Sequence, residues 1–122
     1  MKGFTRRGRV VRGAKIGRKL GFPTANVAVR KMPPFGVYKV QVGSRVAVCS
    51  VGVRPTIGPK GKPIVEVHIP GFSGNLYGKR ISVRFLARLR GERKFASLAA
   101  LKKQIRADIR MALNDGGRSG KI

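Results

Sequence analysis

Short apolar runs broken by Gly, Pro and Asn make up the chain as far as about residue 95. Runs of this length, separated by turn residues, are typical of the strands of a β-barrel or a β-sandwich. Residues 42–45, Val-Gly-Ser-Arg, are short enough to join two of these runs as a tight hairpin. The predicted strands are Gly8–Arg12, Gly36–Val42, Arg45–Val53, Ile64–Ile69 and Ile81–Leu89.

The period of the apolar positions changes in the last quarter of the chain. Leu98, Leu101, Ile105 and Ile109 recur at spacings of three and four residues, and basic residues fill the positions between them. This pattern predicts one amphipathic helix over about 97–113, with Ser97 as its N-cap. Asn and Gly residues that follow are stop signals, so we expect a flexible tail over 116–122.

Length and composition favour one globular domain over residues 1–122, with a barrel over about 8–94. The chain is long enough for a single core, and 42% of its residues are hydrophobic. Its one cysteine, Cys49, excludes an intramolecular disulfide and is expected to be a packed, inert thiol. The chain has neither the apolar segment of a signal peptide nor a stretch that could span a bilayer, which predicts a soluble cytoplasmic protein.

The charge of the chain is extreme, with 28 Lys and Arg against four Asp and Glu, a formal net charge of +24. Such a charge attracts polyanions, including ATP, and binds RNA or DNA non-specifically through counterion release. The cations are spread along the whole chain rather than collected in a terminal arm. Two interpretations stay open: a solvated basic surface, or a surface for nucleic acid or a ribosome.

Residues 17–26, Gly-Arg-Lys-Leu-Gly-Phe-Pro-Thr-Ala-Asn, are the best candidate for a phosphate site. Glycines let a backbone approach a ligand closely, and cations and amide donors suit phosphate. The Thr24 hydroxyl and the Asn26 carbonyl are hard oxygen ligands of the kind that Mg²⁺ prefers. The chain contains no Gly-x-x-x-x-Gly-Lys-Ser/Thr motif, which excludes a P-loop protein.

Glu66 is the best candidate for a catalytic base. It lies in the alternating segment 64–69, where Val65 and Val67 should face the core and Glu66 the other side. A surface Glu paired with a neighbouring Arg explains the same pattern, and periodicity alone slightly favours that alternative. Glu92 ranks second as a base, at the junction between the last strand and the helix.

Asp108 and Asp115, in or just after the predicted helix, have the sequence context of ordinary surface carboxylates. His68 has no companions with metal-ligand spacing, so it is expected to be a hydrogen-bonded strand residue.

An ordered series of short motifs resembles the riboflavin kinase (flavokinase) family from about residue 8 to residue 112. The motifs include Pro-Thr-Ala-Asn at 23–26, Glu-Val-His at 66–68 and Leu-Tyr-Gly at 76–78. They also include Gly-Arg-Val-Val-Arg-Gly at 8–13, Gly-Val-Tyr at 36–38, Arg-x-Glu-x-x-Phe at 90–95 and Gln-Ile-x-x-Asp at 104–108. The resemblance implies a six-stranded Greek-key (split) β-barrel with one C-terminal helix packed against it.

The family's roles transfer to matching positions of this chain. The resemblance implies that Gly13 and the loop to Arg18 cover the ATP phosphates and that Tyr77 lies near the nucleotide. It implies further that Thr24 and Asn26 hold Mg²⁺ and that Glu66 takes the proton from the riboflavin 5′-hydroxyl. Arg90 and Arg93 would lie on the flavin side.

The activity implied is transfer of the ATP γ-phosphoryl group to riboflavin, giving FMN and ADP. The FMN adenylyltransferase domain of many bacterial members is absent, so the chain should stop at FMN. A monomer is expected. The alternative is a kinase-like basic barrel that mainly binds RNA, DNA or a ribosome, with reduced or lost catalysis.

Overall fold

A computed structural model describes residues 3–11, 24–53, 63–72, 74–91, 93 and 95–119. This part of the chain forms six strands and one helix. In chain order they are β1 (Phe4–Val11), β2 (Ala25–Val29), β3 (Gly36–Val42), β4 (Arg45–Val53), β5 (Pro63–His68), β6 (Arg80–Arg90) and α1 (Leu98–Ser119).

The strands close into an antiparallel barrel with the order β1-β2-β5-β4-β3-β6. The hairpin predicted between β3 and β4 is confirmed: Val42 pairs with Arg45, and Gly43 has a φ of 60°, which few residues other than glycine adopt. β6 pairs with β1 through its first half and with β3 through its second half, which closes the ring. The predicted six-stranded barrel with a C-terminal helix is therefore confirmed.

The barrel interior is filled by alternate residues of the strands, as the period-two pattern predicts. Val65 and Val67 are each 1% exposed, and Phe85 and Cys49 are fully buried. Phe85 stacks on Phe4 with ring centroids 4.6 Å apart. Burial raises the pKa of the Cys49 thiol far above its usual range, and the charge of Glu66 raises it further, so the thiol stays protonated and unreactive.

Helix α1 lies on the outside of the barrel wall, where it covers β4 and parts of β3 and β6. It begins as predicted, because the Ser97 hydroxyl accepts a hydrogen bond of 3.1 Å from the Ala100 amide. The packed side chains are Val37, Val46, Val48, Leu89, Ile109 and Ala112. No helix in the described ranges is long and apolar enough to cross a membrane.

Three features of the pattern-based prediction were wrong. Strand β1 begins at Phe4, four residues before its predicted start at Gly8, because Thr5, Arg6 and Arg7 interrupt the apolar pattern there. Strand β2 was absent from the strands predicted by pattern, because its five residues are short and contain Asn26 and two alanines. Helix α1 continues to Ser119, past the predicted end near residue 113 and through Gly116. The extension also contains Gly117, and each glycine in a helix costs about 1 kcal/mol, which lowers the stability of this last turn without excluding it.

The interpretation of Asp108 as a surface carboxylate was also wrong. Asp108 is 3% exposed, and its two oxygens accept hydrogen bonds of 2.9 and 2.8 Å from Nε and Nη2 of Arg90. Gln104, one turn earlier in α1, donates a further hydrogen bond of 2.9 Å to Asp108. This bidentate pair joins the helix to the end of β6.

Replacing the acid of this pair should destabilise the protein. We expect Asp108→Asn to lower the free energy of unfolding by roughly 3 kcal/mol, because Arg90 would keep its charge at a mostly buried position without its partner. Urea unfolding followed by circular dichroism measures the change. A double-mutant cycle with Arg90→Gln isolates the pair from other effects of each change. A loss below about 0.5 kcal/mol, the range of ordinary surface substitutions, would contradict the assignment.

Candidate active site

A row of cross-strand partners runs around the outside of the barrel wall, and we call it the outward row. Its members come from five strands that are distant in the sequence but adjacent in the barrel. In order around the wall they are Asn26, Glu66, Ser50, Val37 and Arg90. Antiparallel register places partners on the same face, so all five side chains project outward.

Glu66 is the central one of three polar residues, Asn26, Glu66 and Ser50, that are adjacent in the outward row. Its neighbours along β5, Val65 and Val67, point into the barrel core, and the alternation turns Glu66 outward. β5 pairs with β2 on one side and with β4 on the other, so Glu66 stands between Asn26 and Ser50. Glu66 is half-buried at this position.

Thr24 joins Glu66 directly. The Thr24 hydroxyl donates a hydrogen bond of 2.9 Å to Oε2 of Glu66. Thr24 immediately precedes β2, two residues before Asn26, so the short strand carries both polar residues to the carboxylate. The structure therefore brings together three of the residues predicted from sequence to be functional.

This donor set fits a small divalent cation. A hydroxyl, an amide carbonyl and a carboxylate are all hard oxygen groups, and Mg²⁺ is commonly held by few protein ligands together with substrate phosphates. In the described part of the chain, His, Cys, Asp and Glu form no cluster of three or more that could hold a metal on its own. A cation here would therefore depend on phosphate oxygens for the rest of its coordination.

An apolar recess of about 260 Å³ opens beside Asn26. Only two residue pairs join β2 to β5, Ala25 with Val67 and Asn26 with Glu66, after which the two strands separate. Val29, Met32 and Ile64 line the gap between them. The recess is large enough for part of a flat ring, and Asn26 is the polar side chain among its lining residues.

Tyr77 lies beyond the Asn26 end of the outward row. Its turn is tied to β1, because the Gly78 amide donates a hydrogen bond of 2.9 Å to the carbonyl of Val10. The next residue, Val11, is the cross-strand partner of Asn26. Tyr77 is 51% exposed, so it forms part of the barrel surface at that side.

Arg90 and Arg93 lie at the other end of the row. Arg90 is held by Asp108, and Arg93 donates a hydrogen bond of 2.9 Å to Gln104 of the same helix. Both guanidinium groups lie over the ring of Phe95, at 5.8 and 5.3 Å from its centroid. Three strand spacings, roughly 14 Å, separate Arg90 from Glu66 along the wall. The structure therefore groups the two arginines with each other and not with the carboxylate.

The remaining predicted positions, Gly13, Arg18 and Glu92, lie outside the described residues.

Sequence reasoning missed the supporting group of Gln104 and Asp108. A signal for it was present: Asp108 lies three residues after Ile105 and four before Ala112, on the apolar face of the predicted helix. An acid at such a position is buried when the helix packs, and a buried acid requires a partner. The many arginines left the identity of that partner open.

Comparison with known proteins identifies the family of the chain. The family model described as "Flavokinase: Riboflavin kinase" matches residues 2–115. A bifunctional riboflavin kinase/FMN adenylyltransferase of Pseudomonas fluorescens is 48% identical over 111 residues, which are 86% of this chain and 36% of that protein. The chain thus spans about a third of the length of this curated relative.

Solved structures show the same fold. A crystal structure titled as a macrolide-efflux protein from Streptococcus pneumoniae has a TM-score of 0.77 at 35% identity and covers 90% of this chain and 38% of that one. Riboflavin kinase from Trypanosoma brucei has a TM-score of 0.69 at 23% identity and covers 93% of this chain and 80% of that one. Because its model matches nearly the whole chain, which folds as the barrel and helix described above, the chain belongs to the riboflavin kinase family.

Proposed function

We propose that this chain is an ATP:riboflavin 5′-phosphotransferase that converts riboflavin and ATP into FMN and ADP. The observation that carries the proposal is the direct contact between Thr24 and Glu66, with Asn26 as the cross-strand partner of Glu66. A base, a hydroxyl and an amide oxygen at one point on the barrel wall meet the needs of phosphoryl transfer from a magnesium nucleotide to an alcohol.

The nucleotide binds at the β1–β2 side of the outward row. The apolar recess beside Asn26 and the exposed ring of Tyr77 both lie on this side of Glu66. Gly13 and Arg18, between the two strands in sequence, are proposed to complete the site over the phosphates. The net charge of +24 favours the approach of a polyphosphate from any direction.

Mg²⁺, held by Thr24 and Asn26 together with phosphate oxygens, would neutralise charge on the transferring phosphoryl group. The chain's own contribution is then orientation. Thr24 and Asn26 are fixed relative to Glu66 by a hydrogen bond and by strand pairing, so the phosphate end of the nucleotide is placed beside the base.

Glu66 acts as the general base. Its carboxylate accepts the proton of the riboflavin 5′-hydroxyl as that oxygen attacks the γ-phosphorus, and ADP leaves on the opposite side. The core-facing neighbours Val65 and Val67 turn Glu66 toward the outer wall, which is the surface on which we propose that the alcohol binds.

The flavin binds at the helix side of the row. A substrate whose hydroxyl reaches Glu66 must extend some distance along the wall, and Arg90 lies roughly 14 Å from that point. Arg90 and Arg93 are therefore placed to contact the far end of a long substrate rather than the reacting atoms. Asp108 and Gln104 hold their guanidinium groups in position.

The alternative of a barrel that mainly binds nucleic acid, with catalysis lost, is not favoured. A protein that only binds polyanions gains nothing from a carboxylate, and in this chain of four acids one stands beside the proposed phosphate site. The family match concerns a kinase.

Removing the proposed base should slow the chemical step. We expect Glu66→Gln to lower kcat about 10²-fold or more, because the amide cannot accept the hydroxyl proton. The KM values should change far less, since the side chain keeps its size. FMN formation is measured with riboflavin, ATP and Mg²⁺, with His68→Gln, the next outward residue of β5, as the control. Turnover like that of the unchanged chain would remove Glu66 from this role.

The Thr24 hydroxyl should matter for the use of the metal nucleotide. We expect Thr24→Val, which keeps the shape but loses the hydroxyl, to lower kcat/KM for ATP about 10-fold, the usual scale for a hydrogen bond to a charged group. The concentration of Mg²⁺ that gives half-maximal rate should rise.

The matched control is Thr24→Ser, which restores the hydroxyl and should recover most of the rate and metal affinity. If the Val and Ser variants behave alike in a Mg²⁺ titration, the hydroxyl is not a ligand.

A further inference from the structure

The outer surface shared by β1 and the first half of β6 is strongly basic, and we call it the β1–β6 face. Its outward positions pair across the two strands in register. They are Thr5, Arg7, Arg9, Arg80, Ser82 and Arg84, and all six are exposed. Four of the six are arginine, and helix α1 packs elsewhere, mainly against β4.

Neither acidic side chain that the structure describes lies on this face. Glu66 is on β5, three strands from β6 in either direction around the six-stranded ring, and is therefore on the opposite wall. Asp108 is buried against Arg90 under the helix. The positive charge of the face is thus uncompensated by these two carboxylates, and the proposed kinase site uses none of its arginines.

Hydrogen bonds to neutral groups orient two arginines of this face but do not neutralise their charge. Arg9 donates a hydrogen bond of 2.6 Å to the carbonyl of Gly78, and Arg7 donates one of 3.3 Å to the hydroxyl of Ser82. Arg9 and Arg80 are direct cross-strand partners, an arrangement in which like charges repel. A bound polyanion would remove that repulsion, and the neutral acceptors already orient two of the guanidinium groups.

We propose that the β1–β6 face binds the phosphodiester backbone of single-stranded RNA. Guanidinium groups match phosphate oxygens with paired donors, which an ammonium cannot do. The face presents no aromatic or aliphatic side chain among its six positions, so it neither stacks bases nor inserts into a lipid surface, and recognition is independent of sequence.

The shape of the face selects a flexible single strand. Among the residues that the structure describes, this outward-curving wall has no projecting helix or ribbon to enter a groove of a duplex. A single strand can bend around it and meet arginines spaced by about 7 Å along a strand and about 5 Å between strands. The hydroxyls of Thr5 and Ser82, placed between the arginines, are partners for the 2′-hydroxyl that distinguishes RNA from DNA.

The test compares two variants of equal net charge. In the first, Arg7, Arg80 and Arg84 of the face become Gln; in the second, the exposed helix residues Lys103, Arg106 and Arg110 become Gln. Each change lowers the net charge by three. Binding of a labelled single-stranded uridine oligomer is measured by fluorescence anisotropy over about 0.05 to 0.2 M salt.

We expect the face variant to bind at least 10-fold more weakly than the unchanged chain and its salt slope to fall by about 2, since each lost phosphate contact on a single strand removes about 0.7. The helix variant should change much less. Both variants should fold, which circular dichroism checks, and both should form FMN at the unchanged rate if the chain is a kinase. The binding result does not depend on that activity.

Equal weakening in the two variants would overturn the proposal, because binding would then follow net charge alone. Equal affinity of the unchanged chain for the deoxyuridine oligomer would overturn the assignment to RNA. Preference for a duplex of the same length would overturn the assignment to a single strand.

Discussion

The pairing of β5 with β2 on one side and β4 on the other determines where Glu66 lies. Its neighbours Val65 and Val67 fill the barrel core, so a shift of one residue in register would bury the carboxylate and expose two valines. The free-energy cost of burying the carboxylate and exposing the two valines favours the observed register over the shifted one. The same ladders bring Asn26 and Ser50 beside Glu66, so the packing of an apolar core also positions a polar site.

Few acids and many cations shape the rest of the molecule. Asp108 forms a structural ion pair that positions Arg90, and through Gln104 it also positions Arg93. Glu66 remains at the proposed reaction centre. One wall of the barrel therefore carries a carboxylate between two proposed substrate regions. On the opposite wall, the β1–β6 face, arginines lie beside one another and contact neutral partners.

Much of the fold was predictable from local pattern. Strands β3 and β4 were predicted at their observed bounds, and the capping Ser97 and the core face of β5 were also correct. These features depend on period and turn chemistry within a few residues. Strand β2 was not predicted because it is short and weakly apolar. Its position between β1 and β5 depends on the closure of the barrel. The resemblance to a family, not the pattern, supplied the sixth strand.

The candidate site divides in the same way. The residue types at 24, 26 and 66 already indicated phosphate, magnesium and base chemistry, because hydroxyl, amide and carboxylate groups have that chemistry wherever they stand. Only the tertiary structure decided that Thr24 touches Glu66, that Arg90 is committed to Asp108, and that arginines 7, 9, 80 and 84 share one face. Local sequence determines periodicity and chemical type; contacts between distant segments depend on strand order and register, which are set by the closure of the whole barrel around its core.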